Sequence, residues 1–354
     1  MKIMDRYIGG AVIGGTLLVM MILLGLFSFV TFLTELDDVG RGRYGVWQAA
    51  EYVLLLVPRL TYQMFPLAAL LGSLIGLGMM AGNNELVVLR AAGVSLQRII
   101  SAVMKAALLL MITAVLISEF VAPVSEQYAW TMRSMALSEN STQLTQGGFW
   151  TRTGDSYINV QTVLADGQLT EVQIYEFDAG HRLRRLTQAK SAQFKDQQWQ
   201  LRNIVRSEFI ADRVSVQHIE TLNWQSLLSP DMLDVIAVKP QSLSGWGLYQ
   251  YIQYLKGNEL DAGRYEMEMW IKIILPLATG VMVLLAVPFV FGSLRSVGIG
   301  QRIMMGSLIG IVFYLLNQVF SYVGLVYQLN AVVSAVLPTL LFFVLAVILL
   351  RRVY

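Results

Sequence analysis

The sequence predicts a membrane α-helical protein, six transmembrane helices set three and three around one inserted all-β, jelly-roll-like domain. Three observations predict it. Long apolar runs at residues 7–34, 60–84, 99–118, 273–294 and 303–350 carry no more than one charge each, and about 20 such residues span a bilayer core. The last run is too long for one helix and breaks at Tyr327-Gln328-Leu329-Asn330, so it reads as a helical hairpin. Between the two sets, only residues 126–261 form a long region polar enough to fold in water. The expected segments are therefore 1–125 with three spans, 126–261 with the β-domain and an interfacial helix, and 262–354 with three more spans.

Composition agrees. The chain is 55% hydrophobic and 14% charged, with a mean hydropathy of +0.57, whereas globular domains carry about 25% charged residues. Helices apolar all round belong in a large core or in a membrane. A net charge of +2 selects no partner. The absence of cysteine removes disulfides, thiolate metal sites and cysteine nucleophiles together. The first apolar run far exceeds a signal-peptide core of about 7–15 residues, so it is expected to remain as the first span.

Orientation follows from Lys and Arg in short loops, which stay in the cytoplasm. With the N-terminus inside, that side collects Lys2, Arg6, Arg90, Arg98, Lys105, Arg295, Arg302, Arg351 and Arg352. The opposite short loop sets Glu35, Asp37, Asp38 and Glu51 against Arg41, Arg43 and Arg59. Both termini are expected inside and the β-domain outside.

Taken in order, the first helix carries Gly9, Gly10, Gly14 and Gly15, and the second Gly72, Gly76, Gly78 and Gly82. Small residues four apart let helix backbones approach closely in lipid, within this chain or with another subunit. Pro58 and Pro66 remove backbone donors near the start of the second helix. The loop Asn83-Asn84-Glu85-Leu86-Val87-Val88-Leu89-Arg90-Ala91-Ala92-Gly93 alternates charged with apolar residues, and Gly93 is placed as a helix stop. A short helix over about 84–93 fits two readings, a docking surface for another protein or an interfacial helix resting on headgroups. The third helix is expected to end near Ala122-Pro123.

From Gly147 the hydrophobic period changes to two. Residues 156–161, 171–177, 199–204 and 213–217 alternate as half-buried strands do, with turn signals at Asp166-Gly167 and Asp178-Ala179-Gly180. Such strands suit a sandwich, jelly roll or partly open barrel. His181 and His218 lack ligand spacing. After Pro240, residues 243–255 are aromatic and weakly amphipathic, which predicts a helix on the outer surface.

The sequence holds no nucleotide-binding G-x-x-x-x-G-K-[ST] loop, no H-E-x-x-H, no G-x-S-x-G and no C-x-x-C. Glu119 lies at the outer end of its span, and the other spans hold no carboxylate for an ion relay. These absences disfavour catalysis and secondary transport. Three function classes stay open: a transport permease subunit, a membrane-anchored β-domain adaptor, and a membrane enzyme acting on lipid or glycan. The loop helix favours the first, since an outward-facing adaptor has no need of it.

The layout, the Asp5-Arg6-Tyr7-Ile8-Gly9 start, the Asn84-Glu85-Leu86-Val87-Val88 loop, the Val121-Ala122-Pro123 helix end and the 263–277 stretch from Gly263-Arg264-Tyr265 to Pro276-Leu277 resemble the LptF/LptG lipopolysaccharide export permeases. The likeness covers the whole chain, and the start and loop are most like the LptG branch. It implies a bacterial inner-membrane subunit, paired with LptF and two copies of the ATPase LptB. With LptC, the complex extracts lipopolysaccharide from the outer leaflet and passes it to a periplasmic LptA bridge. No cofactor is implied in this chain, ATP and Mg being bound by the ATPase. The resemblance assigns Glu85, Leu86, Val87, Leu89 and Arg90 to the ATPase-coupling helix. It places the substrate gates on the first and fifth helices, here 7–34 and 303–324, with Phe27, Phe313 and Phe320 as candidate contacts. Where family members place lysines suited to lipid A phosphates, this chain has Asp37 and Asp38. Anion binding then falls to neighbours such as Arg41, Arg43 and Arg133, of which Arg133 matches the family's basic site by position, or is bridged by divalent cations.

Overall fold

The computed structural model describes residues 3–137, 149–153, 156–163, 168–178, 180, 182–195, 198–210, 213–224, 242–258, 260–291 and 298–353. The Asp166-Gly167 turn, His181 and Arg295 lie outside them. The chain divides into two compact units, the first Met1–Thr34, Val53–Glu126 and Gly263–Tyr354, the second Glu35–Tyr52 and Gln127–Ala262.

Six helices among the described residues are long and apolar enough to cross a membrane. They are α1 (Ile3–Glu35), α2 (Val46–Gly82), α4 (Leu96–Leu116) continuing into α5 (Ala122–Leu137), α7 (Gly263–Phe291), α8 (Ile299–Val326) and α9 (Ala331–Val353), with the short α3 (Glu85–Ala91) between α2 and α4. The hairpin break falls at the expected place: α8 stops at Val326, α9 starts at Ala331, and Gln328 takes φ 51°.

The third span does not end at Ala122-Pro123. It runs on to Leu137 through a π-helical turn, Ile117–Val121, in which the Ala122 N–H reaches back five residues to the Ile117 carbonyl. Proline has no N–H for the carbonyl four residues before it. A wider turn just ahead of Pro123 lets the helix absorb that missing bond rather than stop.

Apolar side chains gain little by leaving lipid for one another, so close contact between small residues holds membrane helices together. Gly15 lies against the Gly72 carbonyl, and Gly76 against the Ala11 carbonyl, so tightly that a Cβ at either would collide with backbone. Gly306 and Gly310 of α8 meet Leu71, Leu74 and Leu67 of α2. The core continues through buried Ala68, Ala102, Ala106, Ala278 and Ala286. Gly15→Leu is therefore expected to wedge α1 from α2, since overpacking costs about 1–3 kcal/mol. Gly14→Leu, at a position with nothing within 4 Å, is expected to be tolerated. Thermal unfolding of the two purified chains checks this; equal midpoints would refute the packing assignment.

Burial is uneven. In the most apolar 18 residues of each span, 72% are buried in α2 and 61% in α7, but 17% in α1 and 17% in α8. Two helices of the first unit thus present nearly bare apolar flanks.

In the second unit, β1 (Phe149–Thr153), β2 (Ser156–Val163), β3 (Leu169–Phe177), β4 (Leu183–Lys195), β5 (Gln198–Ile210) and β6 (Arg213–Trp224) form one antiparallel sheet in chain order. This is an up-and-down meander among the described residues. The four segments expected from alternation are the strands β2, β3, β5 and β6; β1 and β4 are additions, and β4 is the longer. The inward residues of β4 include Ala189 and Ala192, too weakly hydrophobic to mark a period.

Buried positions step by three where alternation demands two: Leu169 to Val172, Ala189 to Ala192, and Leu201 to Ile204. Glu171 and Asn203 take φ of 53° and 50° at two of these steps. Register is kept across the row, with Val172 opposite Ala189 and Ala189 opposite Ile204. An extra residue at the same level of neighbouring strands keeps both ends of the sheet facing one core, around Trp199, while the sheet bends.

Finally α6 (Gly245–Gly257) begins at Ser244, whose Oγ accepts from the Gly247 N–H at 3.0 Å. Leu248, Tyr251, Ile252 and Leu255 are buried on one face, while Trp246 and Tyr249 stack at 5.8 Å and are exposed.

Candidate functional site

At one end of the first unit, α2 turns into α3 through Asn84, whose φ is 60°. Glu85 opens α3, where its carboxylate suits the positive end of the helix. It accepts the Tyr7 hydroxyl at 2.8 Å and the Asn83 amide at 3.3 Å. Gly93 stops the helix as expected: at φ 84° its N–H donates to the Arg90 carbonyl, and the Val94 N–H to that of Leu89. This pair of bonds satisfies carbonyls that the helix leaves over, and the left-handed residue between them favours glycine.

The outer surface of α3 differs from the one expected. Leu86 is 3% exposed and belongs to the membrane core, and Leu89 packs partly against that core. Val87, Val88 and Arg90 face outward, with Val88 the most exposed of the apolar residues. Sequence reading missed Val88; its place two positions after the anchor Leu86 puts it on the opposite side of a helix. The result is a helix moored by Leu86 that offers Val87, Val88 and Arg90 beside Glu85.

Beside it, Arg6, Tyr7, Gly10, Gly76, Met80 and Asn83 line part of an open cavity of about 430 Å³. Asp5, the residue just before Arg6, is 1% exposed and pairs with Arg98 and Lys105, each at 2.8 Å. Two cations counted for orientation thus also fasten α1 to α4. At the start of α8, Arg302 is 3% exposed and donates to the Gly78 carbonyl at 2.5 Å.

A second polar cluster lies within the second unit. The Arg133 guanidinium bonds Glu35 through Nε at 2.8 Å and Asp38 through Nη2 at 2.5 Å. The rings of Tyr52, Trp130 and Tyr44 lie 5.4, 5.8 and 5.9 Å from its centre. The planar fork of arginine is suited both to bridging two carboxylates and to lying among aromatic faces. Tyr44 donates to the same Glu35 at 2.8 Å. Burial, and then that bond, push its phenol well above 10. A raised value favours the neutral phenol in the fold, so this contribution is whole below pH 10 and fades as pH rises past it. Arg41 pairs with Asp38 at 2.5 Å yet is 70% exposed, while the Arg43 N–H donates to the Ala136 carbonyl at 2.7 Å.

The cluster of Glu35, Asp38, Arg41 and Arg133 sums to zero charge. Arg133 is thus a bridging residue held by its own chain, and the exposed cations nearby are Arg41 and Arg43. Of the phenylalanines, Phe27 is exposed on α1 and Phe320 half-buried on α8. Phe313 departs from the expectation: it is 6% exposed, edge-on to Phe342 at 5.1 Å, so its ring is occupied by packing. Among the described residues no group of His, Asp or Glu is placed to hold a metal ion.

The family model for the lipopolysaccharide export system permease LptF/LptG matches residues 6–352. The chain belongs to the LptF/LptG family. The lipopolysaccharide export system permease protein LptG of Haemophilus influenzae is 38% identical over 351 residues, covering 99% of this chain and 98% of the relative. The LptG of Escherichia coli strain K12 is 37% identical over 354 residues, with 99% and 98% covered. The match runs through both halves of the membrane region and through the inserted sheet, so the six spans and the β-domain are features of an LptF/LptG permease as a whole. In this family member the outward side of α3 and the flanks of α1 and α8 are exposed apolar surfaces of the first unit.

Proposed function

We propose that the chain is the LptG-type permease subunit of an ATP-driven exporter in the bacterial inner membrane, taking lipopolysaccharide from the outer leaflet and delivering it to a periplasmic bridge. One observation carries the reading: a full-length likeness to LptG permeases is joined to a bundle whose first and fifth spans are 17% buried. In lipid such flanks are tolerated as they are, and a permease pairing with a second subunit uses them as walls and gates. The partners on this reading are LptF, an LptB dimer, LptC and, beyond them, LptA. ATP and Mg belong to the ATPase, which docks on Glu85, Val87, Val88 and Arg90.

Acyl chains contact the flanks near Phe27 and Phe320, and specificity rests on headgroup phosphates meeting Arg41 and Arg43, with Arg133 setting the local geometry. Arginine suits phosphate because its fork bonds two oxygens. The test is to purify the chain from its native membrane and identify what accompanies it. An ATPase and a second six-span subunit are expected; their absence at stoichiometric yield defeats the proposal.

On this reading both termini and α3 are cytoplasmic and the sheet is periplasmic. Cysteines at Val88 and Lys190, introduced singly into a cysteine-free chain, give a direct check. An impermeant maleimide applied from outside is expected to label position 190 and spare position 88; the reverse pattern overturns the orientation.

A further inference from the structure

We propose that the cavity beside α3 is a binding site for one phosphatidylethanolamine of the inner leaflet, its phosphate on Arg6 and its ammonium on Glu85; only the choice of leaflet rests on the permease reading above. The cavity, of about 430 Å³, is bounded by the start of α1, the end of α2 and the start of α3. Small-ligand pockets commonly hold about 300–1,000 Å³ and have mostly apolar walls, with a few polar groups that orient the ligand. Here Gly10, Ala11, Gly76, Met79 and Met80 form the apolar wall, and Arg6 and Glu85 supply one charge of each sign. Arg6 is exposed and, among the described residues, pairs with no carboxylate. Glu85 accepts from Tyr7 at 2.8 Å and from Asn83 at 3.3 Å. A carboxylate offers about four lone-pair sites, so it can take an ammonium N–H as well.

The two charges select the headgroup. A phosphodiester carrying a primary ammonium meets both, since the guanidinium fork bonds two phosphate oxygens and the carboxylate accepts an N–H. Phosphatidylglycerol brings the same phosphate but no cation, and Glu85 then repels it. Phosphatidylcholine has a quaternary nitrogen without an N–H, which is better held by a cage of aromatic rings; among the described residues Tyr7 is the one aromatic in this wall. The position suits a lipid. The first apolar run begins at Tyr7, so Arg6 stands where the chain enters the bilayer. From the cavity, Gly10, Gly14, Leu17 and Met21 follow at steps of three and four along one exposed face of α1. Nothing lies within 4 Å of a Cβ built on Gly10 or Gly14, which leaves a shallow channel for an acyl chain. That channel gives a lipid a contact that a soluble phosphate compound lacks.

The test uses the full chain purified with whatever accompanies it. Stripped of loosely held lipid in detergent, it is offered equal amounts of phosphatidylethanolamine, phosphatidylcholine and phosphatidylglycerol with identical acyl chains, and weighed intact by native mass spectrometry. Phosphatidylethanolamine is expected to be retained about tenfold over either of the others, the worth of one charge-assisted hydrogen bond. Arg6→Ala removes the cation, and Gly10→Leu fills the cavity from a position with room for a side chain; each is expected to retain one phosphatidylethanolamine fewer. Arg6→Lys keeps a charge for the phosphate and is expected to retain the lipid. Arg351→Ala removes an exposed cation at the end of α9 and is expected to match the parent. Soluble phosphoethanolamine in excess is expected to leave the lipid bound, and thermal unfolding checks that each variant is folded. Equal retention of the three headgroups, a preference for phosphatidylglycerol, an equal loss in Arg351→Ala, or displacement by soluble phosphoethanolamine overturns the lipid site. The permease reading stands in all four cases if an ATPase and a second six-span subunit are present. Their absence, with phosphatidylethanolamine retained by the parent and lost in Arg6→Ala, fails that reading and keeps the site.

Discussion

On the permease reading, Glu85→Lys is expected to yield a chain that inserts and folds but no longer couples to the ATPase. The carboxylate lies at the start of α3 beside the outward residues Val87, Val88 and Arg90, while the fold is moored through Leu86 one residue on. A charge at a helix N-terminus contributes only about 0.3–1 kcal/mol, so the substitution is mild for folding. Buried against a basic residue of a partner, the same carboxylate is worth far more: truncating one side of such a pair costs about 2–5 kcal/mol, or roughly 30-fold to several thousand-fold in affinity. Reversal of charge adds repulsion to that loss. Co-purification of the ATPase, ATP hydrolysis and lipopolysaccharide release in vesicles measure the three consequences. Normal values for all three return Glu85 to the role of a helix-start charge.

Arg133→Ala loosens the second unit before it does anything to substrate. With the guanidinium gone, Glu35 and Asp38 face one another with one bridging cation removed, and the aromatic faces of Tyr44, Tyr52 and Trp130 lose the group they surround. Breaking a buried pair costs about 3–5 kcal/mol. The side chain of Arg133 is 20% exposed, which places the loss toward the lower figure. At about 3 kcal/mol, the amides of Gly40, Arg43 and Tyr44, which close this loop, should exchange hydrogen roughly 100-fold faster. Arg133→Lys restores a point charge but no planar fork, and is expected to recover less than half of the protection. Lipopolysaccharide binding should also fall more for Arg133→Ala than for Phe27→Ala or Phe320→Ala. Exchange decides between roles: unchanged protection with weakened binding would make Arg133 a headgroup ligand and not a brace.

Hydropathy and local turn chemistry alone determined six spans, the break at 327–330, the short helix after Asn84 with its stop at Gly93, the alternating strands and the helix after Ser244. Each of these is decided within a window of a few residues to about 20, where transfer from water and backbone geometry dominate. The tertiary structure decided the rest. Pro123 stops a helix in most settings, but here the neighbouring spans hold the third helix together and a π turn absorbs the lost bond. Period two predicts the wrong facing for one half of β3 and β5, because Glu171 and Asn203 insert the extra residue at which the sheet bends. β4 escaped notice because its inward residues are small and the residues between them polar. The long-range polar pairs were the least legible: Tyr7 with Glu85, Asp5 with Arg98 and Arg133 with Glu35 are separated by 78, 93 and 98 residues. Sequence determined which segments enter the membrane because apolar transfer is additive along the chain. It did not determine which charge meets which, because that depends on where folded helices place side chains that are distant in sequence and share no periodicity.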